Sequence, residues 1–266
     1  MKKTKYQKFE TDKVEFLKNE KNLVIIKNKE TAKYYTMNEE ELEHFLDERY
    51  EIKWIDRYTS LNKTMVIGFW ILFALLAIFN IIYYLKYWTL ELEHSAAKES
   101  AVIIFYLIIS ILLHEAAHII MLRLCGRKEG KIGIKFNYIF PAGYVNVNEV
   151  NMLTKTEKLL VHSAGLFVNL LVNIIVFQIA GNNMENEIVR YLVYSSVLMS
   201  TMILYNSLPF LNSDGYKIFL CIFDLKEYKE YCKSNVAVKV IKIINYIFSI
   251  GYLLLVIKNT LFVHWF

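Results

Sequence analysis

Five stretches of the chain are apolar almost without interruption, near 65–85, 100–122, 159–180, 188–208 and 240–261. Met65 to Leu85 runs 21 residues with no charged side chain. A bilayer core about 30 Å thick takes about 20 residues of helix to cross, so each stretch predicts a transmembrane helix. Residues 1–63 follow another pattern. Leu23 to Ile26 is a short β-type run, Asn28-Lys29-Glu30-Thr31 reads as a turn, and Lys33 to Met37 returns as a second strand. Asn38 with Glu41 three residues on fits a capping box, opening a helix through Leu42, Phe45 and Leu46. Between the second and third apolar stretches, Lys131 to Asn148 alternates apolar and polar side chains around Pro141-Ala142-Gly143, which predicts a β-hairpin. The expected fold is an α-helical polytopic membrane protein with about five transmembrane helices. Residues 1–63 form a small cytoplasmic α+β module of the winged-helix kind, and 64–266 form the transmembrane domain.

Composition agrees with that pattern. Hydrophobic residues make up 55% of the 266, and only two prolines and nine glycines interrupt them. Charge supplies an orientation. Lys and Arg number 14 before residue 64, two over 86–99, seven over 123–158, one at Arg190, six over 211–242 and one at Lys258. The alternation of rich and poor segments predicts a multi-pass protein of the cell membrane with its N-terminus in the cytoplasm and its C-terminus outside. The fifth span is short between Lys242 and Lys258, and both ends can snorkel to the interfaces. On this view the net charge of +5 reports orientation in a lipid bilayer and not a nucleic-acid partner. Cys125, Cys221 and Cys232 are odd in number and form no CxxC pair, so neither a disulfide framework nor a cysteine metal site is expected. No cleavable signal peptide is expected either, because the first 60 residues are polar.

The second apolar stretch contains His114-Glu115-Ala116-Ala117-His118. A charged residue at the bilayer centre costs about 2.5–3.5 kcal/mol on insertion scales, so ionisable groups there need a compensating role. Residues i and i+4 share a helix face, and both imidazoles can reach one ion. A zinc site returns on the order of 10 kcal/mol, and a glutamate between the histidines suits the general base that activates water. The blander readings are a chance match and a polar network that only glues helices together.

Catalytic zinc usually has three protein ligands, and the end of the fourth stretch offers a candidate. There Pro209 stops the helix and Gly215 permits a tight turn beside Asp214. Irregular backbone at membrane depth is tolerated where protein buries it or water lines it. Glu185 and Glu187 are the other acidic candidates, as in membrane zincins that take a glutamate as third ligand. Charge counting puts them across the membrane from the histidines.

In these motifs the chain resembles the site-2 protease family of intramembrane zinc metalloproteases. His114-Glu115-Ala116-Ala117-His118 matches its HExxH. Asn206-Ser207-Leu208-Pro209 followed by Asp214-Gly215 matches its NxxPxxxxDG. Ala164-Gly165-Leu166-Phe167-Val168-Asn169 is similar to its AGPxxN, with Leu166 in place of the usual proline. The resemblance covers about residues 100–224. It implies Zn2+ as cofactor, His114, His118 and Asp214 as ligands, and Glu115 as catalytic base. It implies that Asn206 holds substrate backbone or the developing oxyanion, that Asn169 packs its helix against the site, and that Gly165, Pro209 and Gly215 give structural support.

The implied function is an intramembrane zinc endopeptidase, cutting in or near a membrane-embedded or leader segment by zinc-activated water. The hairpin edge could hold an unwound substrate strand. Val24 to Thr31 with Tyr34 to Asn38 weakly resembles the small units that bind leader peptides in ribosomal peptide pathways. The competing reading is a catalytically silent membrane scaffold or immunity protein, against which the intact Glu115 argues.

Overall fold

The structure is a computed structural model that describes residues 6–19, 22–45, 53–90, 96–128, 132–137, 140–145, 148–180, 183–209, 213–225 and 235–247. Contacts divide the chain into two compact units. One combines Met1–Phe69 with Ile119–Val161, and the other combines Trp70–His118 with His162–Phe266.

Within the first unit, the described residues before Lys63 hold five strands, β1 (Tyr6–Glu10), β2 (Val14–Lys18), β3 (Leu23–Asn28), β4 (Tyr34–Asn38) and β5 (Ile55–Arg57). They form one antiparallel sheet in the order β4-β3-β2-β1-β5. Helix α1 (Glu39–Phe45) follows β4, and the Glu41 carboxylate accepts from the backbone N–H of Asn38, as the capping box requires. Before residue 63 the described residues thus hold five strands and one helix, more strand than the two strands and a helix of the winged-helix kind read from the sequence. Alternation gives the sheet two faces. Phe16, Val24 and Ile26 bury one face beneath Leu42, with Phe9, Met37 and Trp54 at its margin.

The opposite face carries Glu15, Lys27 and Tyr34, aligned by register across β2, β3 and β4. It meets the later segment of the same unit through charge. Arg127 forks the Glu15 carboxylate at 2.6 and 2.8 Å, while Tyr34 donates to Glu149 at 2.7 Å and Lys27 pairs with Glu149 at 2.5 Å. Glu149 lies in the 3-10 turn Asn148–Met152. Burial alone would raise the Glu15 carboxyl, but the Arg127 hydrogen bonds and charge outweigh it and hold the group below its ordinary value of 4.5. Strands β6 (Ile132–Asn137) and β7 (Phe140–Val145) form the expected hairpin, with Pro141-Ala142-Gly143 inside β7 and not at the turn.

Among the described residues, four helices are long and apolar enough to cross a membrane: α2 (Lys63–Tyr87), the segment Ser100–Leu124 of α3 (Ala96–Leu124), α4 (Lys155–Ala180) and α5 (Glu187–Ser207). With the antiparallel sheet ahead of them they make a mostly helical polytopic membrane protein. Residues 236–247 are helical, and the rest of the expected fifth span lies outside the described residues. The start of α4 is fixed within the first unit. Glu157, fully buried, accepts from the N–H and hydroxyl of Thr154 and from those of Ser60 at 2.8–2.9 Å, with Arg57 close by. This satisfies free N-terminal donors of the helix.

In the second unit Leu76, Tyr106, Leu166, Leu170, Ile174, Met199 and Ile203 form a buried apolar cluster among α2, α3, α4 and α5. Polar groups tie α3, α4 and α5 together. Tyr106 donates to Asn173 at 2.6 Å, Ser196 donates to Tyr106, and the Asn173 amide donates to Ser200 and to the Ser196 carbonyl. Side chains at this depth have no water to fall back on, so such satisfied networks specify which helix faces meet.

Candidate metal centre

Both histidines of the HExxH run lie on α3, one helical turn apart, and their rings meet edge to face with centroids 4.8 Å apart. Their Nε2 atoms are 3.1 Å from one another. Asp214 opens α6 (Asp214–Ile222) and brings Oδ2 to 2.8 Å from Nε2 of His114 and 3.3 Å from Nε2 of His118. All three side chains are buried, with relative exposures of 8%, 6% and 4% in chain order. Two ring nitrogens and a carboxylate oxygen thus close a triangle with edges of 2.8–3.3 Å. Tetrahedral zinc with bonds of about 2.0–2.1 Å holds its donors about 3.3–3.4 Å apart. The donor set therefore fits a zinc ion after a few tenths of an ångström of expansion. It is the one group of metal-competent side chains among the described residues.

Local chemistry explains how Asp214 reaches that position. Helix α5 ends at Ser207, and Pro209 stands just beyond it, where its missing N–H does no harm to the helix. The Ser213 hydroxyl caps α6 by accepting from the Tyr216 N–H at 2.9 Å and donates back to the Leu208 carbonyl at 2.8 Å. A Cβ at Gly215 would run into the Ser207 carbonyl and lie 2.6 Å from that of Leu208. Only glycine lets α6 start this close to the end of α5.

Asn206 holds the carboxylate from the other side. Its Oδ1 accepts from the Asp214 N–H at 3.0 Å, and its Nδ2 donates to Asp214 Oδ2 at 3.1 Å. Expected at the substrate or the oxyanion, Asn206 here commits both polar atoms to Asp214. The other carboxylate oxygen, Oδ1, lies 3.4 Å from the ammonium of Lys217, one turn along α6. Lys217 was not singled out from the sequence, although its i+3 spacing from Asp214 on a helix was the signal available.

Helix α4 closes the site. A Cβ at Gly165 would fall 2.5 Å from Nε2 of His114, so the absent side chain is what makes room for the imidazole. Asn169, one turn on, reaches Nδ1 of the same ring at 3.0 Å. Leu166 supplies the N–H that a proline would lack, and α4 runs unbroken through it. Glu115 follows His114 on α3 and is only partly buried. Glu185 and Glu187 are not in the group. Cys125 is a free thiol, and Cys232 lies outside the described residues.

Comparison with known proteins places the chain in a family. The model of Peptidase family M50 matches residues 102–182, which hold both histidines, Glu115, Gly165 and Asn169. A protein of Bacillus subtilis (strain 168) named "Putative peptide zinc metalloprotease protein YydH" is 34% identical over 254 residues, covering 90% of this chain and 92% of its own length. The chain belongs to peptidase family M50. It is accordingly a zinc metalloprotease with membrane-spanning helices, and Zn2+ is its cofactor. No solved structure matches it significantly.

Proposed function

We propose that this M50 member is an intramembrane endopeptidase that hydrolyses a peptide bond in or near a membrane-embedded or leader segment of a peptide or protein. The observation that carries the reading is the meeting of His114, His118 and Asp214 at hydrogen-bond separations inside apolar helices, with Glu115 beside the first ligand. Zinc held there supplies a Lewis acid that polarises water and the scissile carbonyl.

The chain's own residues do the rest. Glu115 takes a proton from the attacking water as its oxygen bonds to the carbonyl carbon. That proton passes to the amide nitrogen as the C–N bond breaks, and the second water proton then moves from the new carboxylic acid to the amine, leaving a carboxylate and an ammonium. Asn206 and Lys217 orient and balance Asp214, and Gly165 seats His114. The buried walls exclude bulk water, so charge developing at the carbonyl meets fixed dipoles. The name of the YydH relative speaks of a peptide, which supports a small peptide precursor over a large regulator. Counts of Lys and Arg support an N-terminus in the cytoplasm and a C-terminus outside, with the cell membrane as location.

The test is purified full-length protein in detergent with candidate membrane and leader peptides. Cleavage should occur, stop on chelation and return with added zinc. Bound zinc without cleavage of any such peptide would favour a silent scaffold or immunity protein instead.

A further inference from the structure

His114 meets a side chain that the hydrolysis above leaves unused. Asn169, 6% exposed on α4, sets its amide Nδ2 3.0 Å from Nδ1 of the imidazole. The other amide atom, Oδ1, is buried and has no hydrogen-bond partner among the described residues. A neutral imidazole carries one proton, and the nitrogen that binds a metal is the one without it. With Nδ2 donating to Nδ1, the ring proton sits on Nε2, which faces Asp214 and His118. That tautomer cannot hold an ion through Nε2. Half a turn of the amide exchanges oxygen and nitrogen with almost no displacement of heavy atoms. Oδ1 then accepts from Nδ1–H, and the Nε2 lone pair is free toward Asp214 and His118. The neighbouring amide on α4 cannot stand in, because Asn173 is committed to Tyr106, Ser196 and Ser200.

We propose that Asn169 is a positioning residue: its Oδ1 accepts the Nδ1 proton of His114 and so selects the ring tautomer that can bind zinc. The same face of α4 does two jobs, since Gly165 makes room for the ring and Asn169, one turn on, sets its proton. The proposal rests on the zinc-site reading of His114, His118 and Asp214.

The test compares zinc content, and zinc retained against a chelator, for purified wild type, Asn169→Asp and Asn169→Leu in detergent. A carboxylate can only accept, whereas leucine fills similar space and neither accepts nor donates. Asn169→Asp should hold zinc at least as well as wild type. Asn169→Leu should lose affinity by about 10- to 100-fold, the usual effect of removing a partner that orients a metal-bound histidine. Zinc held equally by the Leu variant would reduce Asn169 to packing, and zinc lost equally by the Asp variant would refute the acceptor role. Where the Leu variant is not recovered folded, the Asp variant and nitrogen-15 spectra of histidine-labelled, zinc-loaded wild type decide. They should show His114 protonated at Nδ1 and metal-bound at Nε2, and the reverse pattern would overturn the proposal. Wild type without zinc would refute the site reading itself and this inference with it, whereas zinc in wild type and Leu variant alike removes only this inference.

Discussion

Asp214 receives Nε2 of both histidines, the Asn206 amide and the Lys217 ammonium on one carboxylate, more partners than a turn residue needs. If that convergence is a metal site, Asp214→Asn should lower bound zinc and activity together, because a neutral amide is a poor zinc ligand. Metal analysis of the purified variant decides, and zinc unchanged per protein would return Asp214 to the status of a turn. Gly165→Ala probes the opposite wall. The added methyl would strike the His114 ring, so zinc content should fall although no ligand has changed. Overpacking of this kind costs about 1–3 kcal/mol, so the helices should still fold, which circular dichroism can confirm. The histidine pair was legible in sequence because i,i+4 spacing on a helix settles adjacency without knowledge of the fold. Asp214 was legible because Pro209 and Gly215 mark the only break of their kind at the end of an apolar run. The hold of Asn206 on Asp214 was not, since it depends on how the turn between α5 and α6 folds back.

At the scale of elements, the apolar helices and the β6–β7 hairpin follow directly from hydrophobic run length and alternation. Strands β1, β2 and β5 were missed for a physical reason. Lys8, Glu10 and Glu15 make that stretch look like a solvated arm, yet Glu15 is buried and its partner Arg127 lies 112 residues later. No local pattern encodes a pair at that separation. Replacing Arg127 by Met would leave the buried Glu15 carboxylate with Lys8 alone, at 3.3 Å, a loss approaching the about 3–5 kcal/mol of breaking a buried pair. Hydrogen exchange at β2 and β3 should rise sharply in that variant and stay unchanged if the pair is incidental. The pH dependence has a definite sign. The folded state holds Glu15 ionised below its ordinary value of 4.5, so this contribution is complete above pH 4.5 and fades as pH falls toward the lowered value. Thermal unfolding of the sheet below pH 4.5 should therefore be less pH-sensitive in Arg127→Met than in wild type.

For the whole molecule, the proposed orientation rests on the order of positive and neutral connections, which supports an N-terminus and an Arg127 segment on one side of the membrane. A reporter fused after Phe266 should appear outside the cell and one fused after Asn151 inside. Both signals from inside would remove the five-span arrangement, for which the described residues show a helix over 236–247. In the proposed chemistry, buried ligands hold zinc and Glu115 moves the proton. Glu115→Gln separates these roles, because glutamine is nearly isosteric but cannot act as a base. The most direct measurement is zinc per protein together with cleavage of a membrane or leader peptide that the wild type cuts. The account predicts full zinc and no cleavage in the variant, whereas cleavage retained, or zinc lost along with it, would contradict the role given to Glu115.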